Sequence, residues 1–85
     1  MYYLYILYSA TKDSYYIGST SDLVGRLARH NARHKGFTGV NSDWIYVYIE
    51  SFGTSKEAYE RERQVKKWKN RVRIEALIKR NNSVG

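Results

Sequence analysis

From Tyr2 to Tyr8 every position is aromatic or aliphatic, a run too short for a helix and rich in residues that favour extended backbone. An unbroken apolar run of this length predicts a central strand covered on both faces, because a strand with one wet face would alternate. Ser9 to Ser14 supplies a polar turn, and Tyr15 to Gly18 resumes the β-forming pattern. So brief a connection cannot carry a parallel crossover, so the two segments predict an antiparallel hairpin. Ser21 and Asp22 then predict a helix N-terminus, the hydroxyl capping and the carboxylate favouring the positive end of the helix dipole. That helix is expected to run to about residue 33, with Leu23, Leu27 and Ala28 on one stripe and Arg26, His30 and Arg33 on another. Gly25 inside it costs about 1 kcal/mol relative to Ala, so it either allows a close approach of backbone or ligand or is simply tolerated.

Residues 35–43 carry two glycines among polar neighbours and read as a surface loop. Trp44 to Phe52 is the third predicted strand. Thr54 and Glu57 have capping-box spacing, which places a second helix from Ser55 to about Trp68. A third, with Val72, Ile74, Ala76, Leu77 and Ile78 as its apolar content, is expected from Arg71 to about Arg80, followed by a fraying tail over 81–85. The order β-β-α-β-α-α predicts one α+β domain over residues 1–80, a three-stranded antiparallel sheet flanked by helices.

Length and composition narrow the functional classes. Eighty-five residues allow only a small core, and the absence of cysteine excludes both disulfides and thiolate zinc sites as its support. The longest apolar runs, seven residues from Tyr2 and six from Trp44, fall far short of the roughly 20 that a bilayer-spanning helix needs. With no basic leader or cleavage site recognisable at the N-terminus, a cytoplasmic location and no membrane partner are the expectation. Fifteen Lys and Arg against eight Asp and Glu leave a formal net charge of +7, which favours polyanions through phosphate contacts and counterion release. A basic surface that serves only solubility is the plainer alternative.

Glu62 is the most informative single residue. At about 100° per residue, Ala58, Glu62, Val65 and Val72 fall within roughly 80° of one another, which projects the carboxylate from the face that packs on the sheet. A buried carboxylate needs a partner: a hard cation such as Mg²⁺, a clustered arginine, or, at the edge of the face, Lys66 at i+4. Nine tyrosines are mostly core or binding-surface material, yet Tyr5 and Tyr16 sit at hairpin positions that direct their hydroxyls to a common face, where a phenol orients or deprotonates a water. Arg26 offers a fixed fork of donors to a phosphate, with His30 one turn on as a second ligand or proton carrier, unless both belong to a solvated basic face. Arg29 and Arg33 extend that basic helix. Lys66, Lys67 and Lys69 open a C-terminal basic stretch that surrounds Trp68 and runs through Arg71, Arg73, Lys79 and Arg80. Lys35-Gly36-Phe37-Thr38-Gly39-Val40 superficially resembles an RNA-stacking motif, but Asn41 and Ser42 break its aromatic pattern.

Taken together, residues from Tyr3 to about Leu77 resemble a GIY-YIG nuclease domain. The likeness is to the small stand-alone bacterial type, related to the catalytic module of excision-repair incision enzymes and homing endonucleases. The second signature is present as Tyr16-Ile17-Gly18, followed by Arg26 at the family's arginine spacing and His30 one turn later. The first is degenerate, Tyr3-Leu4-Tyr5 keeping the tyrosine and losing the glycine. Glu62 occupies the slot of the metal-binding glutamate. The resemblance implies metal-assisted phosphodiester hydrolysis on DNA with one Mg²⁺ or Mn²⁺. In that reading Glu62 is the metal ligand, Arg26 steadies the phosphate, Tyr5 or Tyr16 handles the attacking water, and Arg26, Arg29, Arg33, Lys66, Lys67 and Lys69 contact nucleic acid. Ser19 stands where repair enzymes of the family often carry a lysine, and Asn70, Asn81 and Asn82 are candidates for the family's late asparagine. The resemblance also implies action on structured or damaged DNA, as in repair or recombination, or specificity borrowed from a protein partner or a second copy of the chain. A binding module that kept the fold and lost turnover is the alternative, and a purely structural interaction domain is a third.

Overall fold

The structure, a computed structural model, describes residues 1–32 and 43–82. The elements are β1 (Tyr2–Ser9), β2 (Ser14–Thr20), α1 (Leu23–Asn31), β3 (Ile45–Phe52), α2 (Ser55–Trp68) and α3 (Arg71–Asn82), in the expected order. β1 is the central strand, antiparallel to β2 on one side and to β3 on the other. As its unbroken apolar run requires, it is covered on both faces, with Leu4, Tyr5, Ile6 and Leu7 fully buried.

The pleat of β1 divides the core in two. Leu4 and Ile6 join Tyr48, Val65, Ile74 and Leu77 under α2 and α3. Tyr5 and Leu7 join Trp44 on the opposite face, where Tyr16, Leu23, Leu27 and Tyr46 pack against them. A bulge in the β1–β3 pairing, between Ile6 and Leu7, lets Tyr48 face the first cluster and Tyr46 the second although they lie two residues apart. The Tyr46 hydroxyl then donates to the Leu23 carbonyl at 2.7 Å and ties β3 to the start of α1.

Several helix details depart from expectation. Asp22, not the Ser21 hydroxyl, caps α1, its carboxylate accepting from the Gly25 N–H at 3.0 Å. A Cβ at position 25 would lie 2.2 Å from Asp22 Oδ2, so the close approach that the glycine permits is to its own cap. α1 ends at Asn31, short of residue 33, because the Asn31 carboxamide pairs with Trp44 in both directions, donating to its carbonyl at 3.1 Å and accepting from its N–H at 2.8 Å. Arg33 and the Lys35–Val40 motif lie outside the described residues. Thr54 caps α2 as predicted, its hydroxyl accepting from the Glu57 N–H at 3.2 Å, while the Glu57 carboxylate accepts from that hydroxyl at 2.9 Å. Val72, grouped with Glu62 on one face by spacing, is instead exposed: α2 closes at Lys69 in a left-handed conformation (φ 45), so Val72 belongs to a separate helix with its own orientation. Ile74 and Leu77 supply the buried side of α3.

Polar contacts lock these layers together. Arg61 on α2 grips Glu50 on β3 through Nε and Nη2 at 2.9 and 3.3 Å, and the Tyr48 hydroxyl donates to the same carboxylate. Burial and that bond push the Tyr48 phenol up to about 12. Arg71 on α3 reaches Asp13 in the β1–β2 turn at 2.6 Å and Glu75 at 3.1 Å. The same end of the hairpin is held to the start of β3 by Asp43, which accepts from the Ser9 hydroxyl at 2.6 Å and the Thr11 N–H at 2.8 Å.

These bonds, the Ser9 hydroxyl foremost, hold the Asp43 carboxyl down at about 2, below the roughly 3.9 of an unfolded chain. A depressed carboxyl pKa contributes stability that is present above the unfolded value and lost as pH falls towards the folded one. Asp43→Asn is therefore expected to lower the urea midpoint at neutral pH and to flatten its fall between about pH 4 and 2. An unchanged acid limb in urea titrations of the variant would show that Asp43 is not one of its sources.

Candidate active site

The site is built around the outer edge of the sheet, where β2 has no neighbouring strand among the described residues. Successive residues of β2 point to opposite faces. Tyr16 and Gly18, opposite Leu7 and Tyr5, therefore lie on the α1 side, and Ser19, opposite Leu4, lies on the α2 side.

On the α1 side, Tyr5, Tyr16 and His30 converge. The Tyr5 ring passes over Gly18 so closely that a Cβ there would stand 2.5 Å from the hydroxyl and 2.6 Å from Cζ. Beyond the glycine, the hydroxyl shares a 2.8 Å hydrogen bond with His30 Nε2, the donor being set by the imidazole tautomer. Tyr16 stacks on Tyr5 with centroids 6.4 Å apart and lies 4.7 Å from the His30 ring, while Tyr46 meets Tyr5 edge-on at 5.4 Å. Tyr5 and His30 are buried and Tyr16 is half-buried, so Tyr16 is the phenol of the pair that reaches solvent. Burial, reinforced by Tyr16, pushes the Tyr5 phenol well above its ordinary value.

Arg26, one turn before His30, lies near enough to favour the ionised form of both the Tyr5 and Tyr46 phenols. No carboxylate among the described residues pairs with its guanidinium. Arg29 is exposed on the same helix.

On the α2 side, Glu62 is directed at the strand edge. Its Oε1 accepts from the Ser19 hydroxyl at 2.6 Å and its Oε2 pairs with Lys66 Nζ at 2.6 Å. Of the partners its spacing allowed, the i+4 lysine is the one seen, although the carboxylate is also shielded, 14% exposed. Lys66 also bridges the two halves of the site, its ammonium 6.0 Å from the centroid of the Tyr16 ring. Lys67 does not join them; it lines a separate cleft of about 420 Å³ with Glu60, Arg63, Gln64 and Trp68. Lys69 is exposed at the α2 C-cap. Beside Ser19 a smaller cleft of about 210 Å³ is lined by Tyr2, Thr20, Ser21, Ser55 and Ala58.

Ser19 was not recognised as a site residue from sequence. The signal was present in the pleat: a residue adjacent to Gly18 must face the other side, where the helix carrying Glu62 packs. Among the described residues no three His, Cys, Asp or Glu cluster as a metal cage. One carboxylate and a hydroxyl suit a hard ion that keeps most of its waters, such as Mg²⁺ or Mn²⁺, and do not suit a softer metal that needs imidazole or thiolate.

A family model described as the GIY-YIG catalytic domain matches residues 1–76. A UPF0213 protein of Staphylococcus haemolyticus (strain JCSC1435) is 29% identical over 80 residues, a span that covers 93% of this chain and 96% of the relative. No solved structure gives a significant match.

The Tyr5–Gly18 contact has a direct consequence for stability. Gly18→Ala inserts a methyl against a fully buried ring that cannot retreat from Tyr46, and is expected to destabilise by about 1–3 kcal/mol. Urea denaturation checks this; a variant as stable as the parent would show that the ring moves aside freely.

Proposed function

Because the chain belongs to the GIY-YIG family, we propose that it is an endonuclease that hydrolyses DNA phosphodiester bonds with one Mg²⁺ or Mn²⁺. The observation that carries this reading is the convergence of Tyr16, His30 and Arg26, which no carboxylate of the described residues pairs, on one side of β2 with the shielded Glu62 on the other. A phosphate laid across the strand edge meets a fork of donors, a phenol and a carboxylate within one patch.

The division of labour follows from exposure and charge. Arg26 grips the scissile phosphate with its planar fork. Tyr16, the solvent-facing phenol, orients the attacking water. Tyr5 is a positioning residue: its raised pKa keeps it protonated at neutral pH, so it fixes the His30 ring and does not serve as the base. Ser19 fixes the Glu62 carboxylate, which would hold the ion. When bound, a divalent ion lowers the pKa of a coordinated water and neutralises charge on the phosphate. Arg29 continues the basic face of α1, Arg33 is a nucleic-acid contact by sequence alone, and Lys67 and Lys69 extend contact beyond the site along α2.

A binding-only module on the same fold has one observation in its favour, the Lys66 ammonium seated on Glu62 where an ion would sit. Labelled duplex, flap and branched DNA incubated with Mg²⁺ or Mn²⁺, and with chelator, separate the two readings. Cleavage is expected to require metal, to fall by about 10²–10⁴-fold in Glu62→Ala and by roughly 10–100-fold in Tyr16→Phe. Salt-dependent binding by both parent and variants without any cutting would establish the binding module.

A further inference from the structure

The two oxygens of Glu62 are held by very different partners. Ser19 sits on a strand paired to the central strand, so its hydroxyl stays where β2 places it. Lys66 hangs on a four-carbon stem, is 49% exposed, and makes an i,i+4 ion pair of the kind that contributes little to helix stability. The pair is nevertheless tight, at 2.6 Å, and the ammonium that occupies Oε2 lies 6.0 Å from the centroid of the Tyr16 ring. A divalent cation and an ammonium cannot both sit on Oε2, because their like charges repel within contact distance.

We infer that Lys66 is a displaceable internal counter-ion of the site, an inference that rests on the reading of Glu62 as the ion's ligand. Before the ion arrives, the ammonium neutralises a carboxylate that is largely withdrawn from water and holds it against Ser19. The ion takes Oε2 and releases Lys66, whose ammonium already lies over the Tyr16 ring, on the side where Arg26 and the phosphate meet. The released charge then contacts the phosphate, so a second cation reaches the substrate only once the ion is in place. Ser19 occupies the strand position next to Gly18, and the positive charge of this site is delivered from the helix instead. Two cheap motions of one side chain thus couple ion entry to substrate grip.

A residue of this kind has opposite effects on two measurable quantities. Removing its charge relieves competition for Oε2 and tightens ion binding, while it weakens cleavage at saturating ion. A lysine that merely stabilises α2 does neither. Mn²⁺ is titrated into the full-length protein and free Mn²⁺ is followed by electron paramagnetic resonance, for the parent, Lys66→Met, Lys66→Arg and Glu62→Gln, with far-UV circular dichroism confirming the fold. Lys66→Met is expected to bind Mn²⁺ roughly two- to fivefold more tightly than the parent, the range that a partly exposed ion pair corresponds to. Lys66→Arg, which keeps the charge, is expected to stay near the parent, and Glu62→Gln to lose the site. Cleavage by Lys66→Met at saturating Mn²⁺ should fall by about tenfold, the loss of one phosphate contact. Equal Mn²⁺ affinity in the parent and Lys66→Met, with binding lost in Glu62→Gln, overturns the counter-ion role and leaves the nuclease reading intact. Glu62→Gln binding Mn²⁺ as the parent does overturns the assignment of Glu62 and the inference with it.

Discussion

A phenol hydroxyl in the middle of a small core has to find a hydrogen-bond partner, and in this protein the arrangement of one whole layer satisfies that demand. Tyr5 is fully buried on the central strand, with rings on two sides of it. Its hydroxyl can leave the layer only by crossing the neighbouring strand, which it does over Gly18, the one place where no Cβ obstructs it. On the far side it meets His30, which is buried in turn and depends on Tyr5 for one of its ring nitrogens. An unpartnered hydroxyl at that depth would cost about 1–3 kcal/mol, a large fraction of what so short a chain has to lose. The glycine, the tyrosine and the histidine are therefore one device, and the same device ties α1 to the central strand.

The second half of the site depends on the pleat. Adjacent residues of β2 serve opposite faces, so a single step along the chain, from Gly18 to Ser19, moves from the aromatic cluster to the carboxylate. An edge strand makes this useful. With no further strand beside β2 among the described residues, both faces are within reach at once, and Lys66 already spans them by reaching from α2 towards Tyr16. The larger cleft around Trp68 has none of this convergence. It is flanked by cations, with Arg73 stacked 4.4 Å from the Trp68 ring centroid, but no carboxylate–phenol–imidazole group meets there.

The aromatic layer also explains how a domain without cysteine holds itself together. Tyrosines close both ends of the sheet through their hydroxyls: Tyr46 to the start of α1, Tyr48 to the Glu50–Arg61 pair, and Tyr8 and Tyr15 to the charged cluster of Asp13, Arg71 and Glu75. Each ring buries apolar area while its polar tip ties down a neighbouring element, which suits a chain too short to rely on bulk core alone.

The sequence by itself determined the elements and the central place of β1, because periodicity and capping are local: a run of seven apolar residues cannot be a wet edge, and Thr54 with Glu57 announces a helix without help from the rest of the fold. It also singled out the site candidates other than Ser19, since the Tyr16-Ile17-Gly18 signature and the spacing to Arg26, His30 and Glu62 survive along the chain. Only the tertiary structure decided which oxygen meets which partner. The facing of Tyr46 depends on a bulge that no period reveals, the exposure of Val72 on a left-handed break at Lys69, and the end of α1 on a carboxamide pairing across the sheet. The bond from Ser19 to Glu62 spans 43 positions, and the difference in burial between Tyr5 and Tyr16 depends on which elements cover each. Such facts arise when separate elements pack, and packing is a property of distances between them that no local pattern encodes.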